Sequence, residues 1–200
     1  MSLPKVSGAD PVPTDWVDAA FAAHPRVGFL PPEQQHLADH DGPLPIGWGQ
    51  TNSQPRTVAA MLRLLDVQPG MRVLDVGSGS GWSTALLAHM VGPQGEVHGV
   101  ELVPELVAFG STNLAATAQP WASITQATPD LLGLPEQAPF DRILASAEAE
   151  RLPDALVNQL REGGLMVIPV ASEMLRVRRM PGTQSPQITW HGGYCFVPLL

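Results

Sequence analysis

Cysteine is nearly absent from this chain of 200 residues, in which Cys195 is the only one. One thiol cannot form an internal disulfide, which excludes a small disulfide-stabilised fold and favours the cytoplasm as the compartment. We expect Cys195 itself to be packed in a strand. The six histidines are scattered, so no Cys/His group has the spacing of zinc ligands, and we expect no metal site.

Positive charge and long apolar runs are also scarce. Lys and Arg number 11 against 19 Asp and Glu, which gives a formal net charge of −8 and argues against a nucleic-acid partner. No apolar run is long enough to span a bilayer, and no signal-peptide pattern opens the chain. We therefore expect a cytoplasmic protein without membrane contacts, and a monomer by default.

Proline and glycine, by contrast, number 21 and 19 and divide the chain into segments. The Pro-rich first 50 residues contain one clear helix, over residues 15–23, with Asp15 or Thr14 as its cap. The remainder of this region is expected to be irregular, with Trp48 as an anchor. Apolar residues at helical spacing predict a second helix over residues 55–65.

From residue 72 onward, strand and helix patterns alternate. Strands are predicted over residues 73–76, 97–100, 123–126, 142–145 and 165–170, and helices over 83–90, 104–116 and 154–160. Such alternation indicates right-handed crossovers and a parallel sheet that is covered on both faces. Period-two patterns at residues 175–178, 188–190 and 195–197 predict an antiparallel hairpin at the end.

The predicted fold is therefore α/β. It is a doubly wound, Rossmann-like, three-layer αβα sandwich with a mostly parallel sheet, a C-terminal antiparallel hairpin and an N-terminal helical extension. Within this single unit, residues 1–57 are expected to form a cap that contributes to the active site. Residues 58–200 are expected to form the main domain.

Residues 73–82, Val-Leu-Asp-Val-Gly-Ser-Gly-Ser-Gly-Trp, carry the most information. A short apolar run that ends in alternating glycines is typical of a buried strand that leads into a cofactor loop. In doubly wound sheets such loops meet at the carboxyl ends of the strands. We call residues 77–81 the glycine loop and predict that all of them bind a cofactor: Gly77, Ser78, Gly79, Ser80 and Gly81.

Two residues beside the glycine loop favour one cofactor class. Trp82 stands where a dinucleotide-binding loop needs its last glycine, which disfavours NAD. Asp75 precedes the loop by two residues, and its carboxylate suits a cationic or hydroxyl-rich ligand. S-adenosylmethionine is therefore favoured, with a nucleotide site and a simple Gly-rich turn as alternatives.

Further cofactor contacts are expected after the next strands. Glu101 ends the second strand and can accept hydrogen bonds from both ribose hydroxyls, unless it is a solvated helix cap. Val100 and Leu102 would flank the adenine ring. Asp75 would orient the methionine ammonium, or bond the backbone of its own loop. Asp130 would accept from the adenine amine, or cap the turn at residues 131–132.

Four segments resemble one known family. They are residues 43–55 (Pro-Leu-Pro-Ile-Gly-Trp-Gly-Gln-Thr-Asn-Ser-Gln-Pro), 138–144 (Ala-Pro-Phe-Asp-Arg-Ile-Leu), 159–170, and the closing Phe-Val-Pro-Leu of 196–199. They are similar to the protein-L-isoaspartate (D-aspartate) O-methyltransferases. The resemblance implies methyl transfer from S-adenosylmethionine, with S-adenosylhomocysteine as product. The implied acceptor is the side-chain carboxylate of L-isoaspartyl residues in damaged proteins and peptides.

The resemblance also assigns roles within residues 43–55. In the family this segment lies over the S-adenosylmethionine pocket, which makes Gln50 and Thr51 cofactor-binding candidates. Its serine, here Ser53, is the residue usually assigned to the active site and would orient the acceptor. A serine at this position could also cap the helix at residues 55–65.

The chain departs from the family pattern in three places. Pro129 lies where an adenine-reading Asp is usual, so Asp130 must substitute from the next position. Glu148 and Glu150 replace a small apolar run, and would repel an anionic acceptor unless they face solvent. Asn52 replaces an aliphatic residue. These departures leave two alternatives open: a methyltransferase with another acceptor, and a cofactor-binding protein without turnover.

Overall fold

The computed structural model describes residues 15–183 and 185–199. Its strands are β1 Leu44–Gly47, β2 Gln50–Asn52, β3 Arg72–Val76, β4 Glu96–Glu101, β5 Ala122–Gln126, β6 Phe140–Ala145, β7 Leu160–Val170, β8 Glu173–Arg178 and β9 Gln187–Gly193. Its helices are α1 Trp16–Ala23, α2 Pro55–Leu65, α3 Trp82–Val91, α4 Pro104–Ala115 and α5 Asp154–Val157. Thr14, one of the two candidate caps of the first helix, lies outside the described residues.

Seven strands form one sheet in the order β5-β4-β3-β6-β7-β8-β9. The strands from β5 to β7 in this order are parallel, while β8 and β9 are antiparallel. The chain progresses outward in opposite directions from β3 and β6, so their carboxyl ends border the crevice where doubly wound sheets bind ligands. The predicted α/β class, the mostly parallel sheet and the C-terminal antiparallel strands are confirmed.

Burial on both faces of the sheet explains why these elements form. In β3 the residues after Arg72 are all buried, as expected for a strand covered on two sides. One face packs against α1, α2 and α3, and the other packs against α5. Helix α2 buries Val58, Met61, Leu62 and Leu65, which is the predicted apolar face.

The segment before α2 is more ordered than its Gly/Pro content suggests. Instead of an irregular path, β1 and β2 form an antiparallel hairpin. Leu44 and Ile46 are buried and join Leu30 and Leu106 in a small cluster, which seats the hairpin on α4. Trp48 lies at the hairpin turn with φ of 50° and is 55% exposed, so the prediction that it anchors this segment is wrong.

Two predictions near the C-terminus are also wrong. The helix expected over residues 154–160 ends at Val157, because the buried Gln159 bonds Leu134 and Leu132, and Leu160 already pairs with β6. Residues 195–197 form no strand. Cys195 is exposed in a segment that makes only an isolated bridge, between Pro198 and Glu148.

The helices of the described residues are short, and none combines the length and apolar character of a membrane span. The division of the chain after residue 57 stays a prediction. Helix α2 crosses that position, and α1 and α2 both contribute to the main core.

Candidate active site

A cavity of about 570 Å³ lies at the carboxyl ends of β3, β4, β5 and β6. Its wall comprises residues 50–53, 76–80, 100–103, 127–133 and 197–199, together with side chains of α2 and α3 and residues 146–147. Of the predicted site residues, ten line it: Gln50, Thr51, Ser53, Gly77, Ser78, Gly79, Ser80, Glu101, Leu102 and Asp130. The sheet therefore collects in one place residues that are distant along the chain.

The glycine loop needs glycine at its last position for a steric reason. Gly81 has φ of 86°, and a Cβ there would lie 2.8 Å from the carbonyl oxygen of Gly110 in α4. Its N–H donates to Ser78 O (2.8 Å), which closes the turn. Gly81 does not line the cavity, so its role is to let α3 and α4 pack closely behind the loop.

Glu101 fixes the glycine loop from the neighbouring strand. Its carboxylate accepts from the N–H of Gly79 (2.9 Å) and from the N–H of Val103 (3.0 Å). The residue is only 7% exposed and lines the cavity. The alternative of a solvated helix cap is therefore wrong, while ribose binding by the remaining lone pairs stays a prediction.

Asp75 lies behind the loop and not in the cavity wall. Its Oδ2 accepts from the hydroxyls of Ser83 and Thr84, both at 2.7 Å, so it does not bond the backbone of the glycine loop. Its Oδ1 is buried and has no hydrogen-bond partner in the described part of the chain. Burial raises the pKa of its carboxyl to about 6, although the two hydroxyls lower it.

The raised pKa predicts how Asp75 affects stability. The native state binds the proton of the Asp75 carboxyl more tightly than the unfolded chain does. Protonation of Asp75 therefore stabilises the native state fully below about pH 4, and this contribution is lost as the pH rises through about 6. In Asp75→Asn this ionisation is absent. We expect the unfolding free energy of the variant, relative to the wild type, to increase by about 2 kcal/mol between pH 4 and pH 7.

Urea unfolding of the cofactor-free proteins across this pH range measures the difference. Asp130→Asn is the control, because the Asp130 carboxylate is exposed. A difference between Asp75→Asn and the wild type that stays constant with pH contradicts the assignment.

Residues 50–53, which we call the acceptor loop, form another part of the cavity wall. Ser53 is half-buried and lines the cavity. The N-cap of α2 is Gln54, so the alternative that Ser53 caps this helix is wrong. The main-chain carbonyl of Ser53 accepts from the buried guanidinium of Arg26 (3.0 Å), and this bond does not occupy the side-chain hydroxyl of Ser53.

The segment that follows β5 forms an exposed edge of the cavity. Asp130 is exposed with φ of 63°, and it lies within a turn of residues 128–131 that closes by a main-chain bond from Leu131 N to Thr128 O (3.1 Å). The turn therefore does not need the Asp130 side chain as a cap. Leu102 is 37% exposed in the same wall. Their contacts with adenine stay predictions.

Glu148 and Glu150 do not line this cavity, so the expected repulsion of an anionic acceptor is not built into it. Glu148 accepts from the N–H of Ser172 (2.9 Å) and of Phe196 (3.3 Å). Its backbone also bonds Val197 O and Leu199 N, both at 2.7 Å. Glu148 therefore holds the C-terminal segment against the cavity, while Glu150 is exposed to solvent.

Sequence reasoning missed two contributors to the site. Val197, Pro198 and Leu199 close one side of the cavity, although the chain pattern there suggested a plain strand. Arg26 supports the acceptor loop from a short 3₁₀ helix that carries no motif of its own. The one available signal was an arginine inside a mainly apolar stretch, which is unusual for a buried position.

Comparison with known proteins gives concordant results. The sequence model of the family described as Protein-L-isoaspartate(D-aspartate) O-methyltransferase (PCMT) matches residues 7–200. The protein named Protein-L-isoaspartate O-methyltransferase from Methanothrix thermoacetophila is 42% identical over 182 residues, covering 90% of this chain and 86% of that protein. Its namesake from Aeropyrum pernix is 47% identical over 158 residues, covering 79% of this chain but only 61% of that protein.

A solved structure shows the same similarity in three dimensions. It is a Plasmodium falciparum protein described as a beta-aspartate methyltransferase (PCMT), in complex with S-adenosyl-L-homocysteine. The TM-score is 0.82 at 26% identity, and the match covers 94% of this chain and 92% of that one. The sequence comparisons and the structural comparison therefore point to the same family.

Proposed function

Because this chain belongs to the protein-L-isoaspartate(D-aspartate) O-methyltransferase family, we propose that it repairs damaged proteins. It transfers the methyl group of S-adenosylmethionine to the side-chain carboxylate of L-isoaspartyl residues. The observation that carries the proposal is that residues 77–80 of the glycine loop, Glu101 and the acceptor loop with Ser53 line one cavity.

The residues present suit this cofactor. The buried Asp75 Oδ1 and Ser78 Oγ have no hydrogen-bond partner in residues 15–183 and 185–199. Ser78 lines the cavity, so the glycine loop retains a polar atom for a bound ligand. The cavity, about 570 Å³, has the size of a small-molecule site. Glu101 would hold the ribose, and the negative charge of Asp75 would favour the methionine ammonium.

The chemistry makes modest demands on the protein. S-adenosylmethionine supplies a methyl group on a sulfonium, which departs as a neutral thioether. A carboxyl group has an ordinary pKa near ~4, so the acceptor is ionised at neutral pH and the chain need not supply a general base. Its contribution is to orient the acceptor and to exclude water, which is catalysis by proximity.

Side chains around the cavity fit these two tasks. The Ser53 hydroxyl would donate to the acceptor carboxylate and fix its direction. Val58, Met61 and Leu199 line the same cavity and would exclude water from the reacting atoms. The cavity lining within the described residues includes no Arg, Lys or His, so orientation of the acceptor carboxylate depends on hydrogen bonds.

Methyl transfer to matched peptides tests the proposal. The protein is incubated with radiolabelled S-adenosylmethionine and an isoaspartyl peptide or its normal aspartyl counterpart. We expect a base-labile methyl ester on the isoaspartyl peptide alone. Equal labelling of both peptides would indicate another acceptor, and cofactor binding without labelling would indicate a protein without turnover.

In the same assay, Ser53→Ala should lower kcat by about 10- to 100-fold, because one hydrogen bond to a charged acceptor is lost. The dissociation constant of S-adenosylhomocysteine should change by less than about 2-fold. Ser123→Ala, on the exposed side of β5, is the control. An unchanged kcat in Ser53→Ala would remove Ser53 from the mechanism.

The cytoplasmic location, the monomeric state and the absence of nucleic-acid and membrane partners stay predictions. The single cysteine supports the cytoplasmic location, and the net charge of −8 supports the absence of a nucleic-acid partner.

A further inference from the structure

A buried arginine organises the acceptor loop. Arg26 is 5% exposed, and its guanidinium donates hydrogen bonds to main-chain oxygens on both sides of β1 and β2. The acceptors are the carbonyls of His40, Gly42, Asn52 and Ser53, at 2.8 to 3.0 Å. This fork of donors fixes the backbone of the acceptor loop at Asn52 and Ser53.

The side chain of Asn52 extends this network to the glycine loop. Its Oδ1 accepts from Arg26 Nε at 2.7 Å, and its Nδ2 donates to Ser80 Oγ at 3.0 Å. Asn52 and Ser80 are 4% and 3% exposed, so water does not compete for these bonds. A single amide therefore connects the support of the acceptor loop to the glycine loop.

Both ends of this connection are functionally placed. Asn52 lies directly before Ser53, and Ser80 follows Gly79, whose N–H is held by Glu101. The glycine loop also adjoins β1, because a Cβ on Gly79 would lie 3.3 Å from Ile46 Cδ1, and β1 pairs with β2. A ligand that restrains the glycine loop therefore acts on the acceptor loop directly through a polar bond and, by way of β1, through an apolar contact.

We propose that Asn52 is a positioning residue that couples the glycine loop to the acceptor loop, so that a bound cofactor orders Ser53 for the acceptor. In thermodynamic terms, cofactor and acceptor binding assist each other by the same factor. The assignment of Ser53 to the acceptor rests on the proposed function, whereas the link between the loops does not.

Hydrogen–deuterium exchange with S-adenosylhomocysteine tests the link without any acceptor. In the wild type, saturation should slow exchange at least about 5-fold in both the glycine loop and residues 44–54. In Asn52→Ala, protection of the glycine loop should remain, while protection of residues 44–54 should fall below about 2-fold except at Gln50 and Thr51, which would contact the cofactor directly. Equal protection of residues 44–54 in variant and wild type would overturn the proposal.

Two further variants separate coupling from loss of structure. Ser80→Ala removes the same bond without touching Arg26, and should also abolish protection of residues 44–54. Asn52→Asp should restore it, because a carboxylate can accept from both Arg26 and the Ser80 hydroxyl. If both Ala variants lack protection and Asn52→Asp does too, the bond itself is not the cause and the proposal fails.

A binding experiment then measures the coupling to the acceptor. An isoaspartyl peptide should tighten S-adenosylhomocysteine binding by about 5-fold or more in the wild type and by less than about 2-fold in Asn52→Ala. If the wild type does not methylate this peptide, the proposed function fails, while the exchange result still decides the link between the loops.

Discussion

Replacing Glu101 with alanine will weaken the binding of S-adenosylhomocysteine by at least about 100-fold. The carboxylate holds the glycine loop through Gly79 N–H and the start of α4 through Val103 N–H. Hydrogen bonds to a carboxylate are charge-assisted, and because Glu101 is buried, water screens them little. Each contributes about 1.5 to 3 kcal/mol, and the predicted ribose contacts are lost as well.

Isothermal titration of the wild type and Glu101→Ala measures this effect. Glu101→Gln should fall between them, because the amide keeps one acceptor but cannot serve two donors and the ribose at once. Glu105→Ala is the matched control, since Glu105 lies exposed in the first turn of α4, four residues after Glu101. An affinity of Glu101→Ala within about 3-fold of the wild type would contradict the assignment.

Arg26→Leu will lower the free energy of unfolding by about 4 to 5 kcal/mol. The substitution leaves four main-chain oxygens and Asn52 Oδ1 without their donor, and the bonds to Gly42 O, Asn52 O and Asn52 Oδ1 are fully buried. Each buried unsatisfied group costs about 1 to 3 kcal/mol, reduced here by local relaxation. The packing of the guanidinium against Trp82, at 5.7 Å, is also lost.

Urea unfolding at neutral pH measures the loss. Arg26→Lys should recover only part of the stability, because an ammonium cannot reproduce the planar fork. Arg56→Leu is the control, because its side chain is 77% exposed and pairs only with Asp41, and it should cost less than about 1 kcal/mol. A loss below about 1 kcal/mol in Arg26→Leu would mean that these bonds are not maintained in solution.

Local patterns predicted the elements whose signal lies within their own residues. Helix α2 has the predicted bounds, because its apolar spacing and Pro55 are both local features. The strand that leads into the glycine loop differs from its prediction by one residue. The first four residues of the glycine loop lie in the cavity wall, as its spacing indicated, whereas Gly81 does not.

Long-range hydrogen bonds decided the elements that the sequence did not predict. Helix α5 ends early because Gln159 bonds residues about 25 positions away, which no helical pattern can reveal. The segment beyond Cys195 forms its hydrogen bonds with Glu148 instead of pairing with a neighbouring strand. The β1–β2 hairpin had a local signal, the alternation of Leu44 and Ile46 with exposed residues, which the prolines and glycines obscured.

The residues of the site also divide into those that local sequence predicts and those that it does not. Glu101 and the glycine loop could be predicted because strand ends converge in this fold class. The roles of Glu148 and Asn52 could not be predicted from their local sequence. Each was noted as a departure from the family, but their partners Ser172, Arg26 and Ser80 are more than twenty residues away. Only the folded chain shows that Glu148 bonds the C-terminal segment and that Asn52 bonds the glycine loop.

A crystal structure of the protein with S-adenosylhomocysteine tests the central claim most directly. The account predicts density along the glycine loop, with both ribose hydroxyls within hydrogen-bond distance of the Glu101 carboxylate and the sulfur directed toward Ser53. Density for the ligand at any other place, or a ribose that does not contact Glu101, would contradict it.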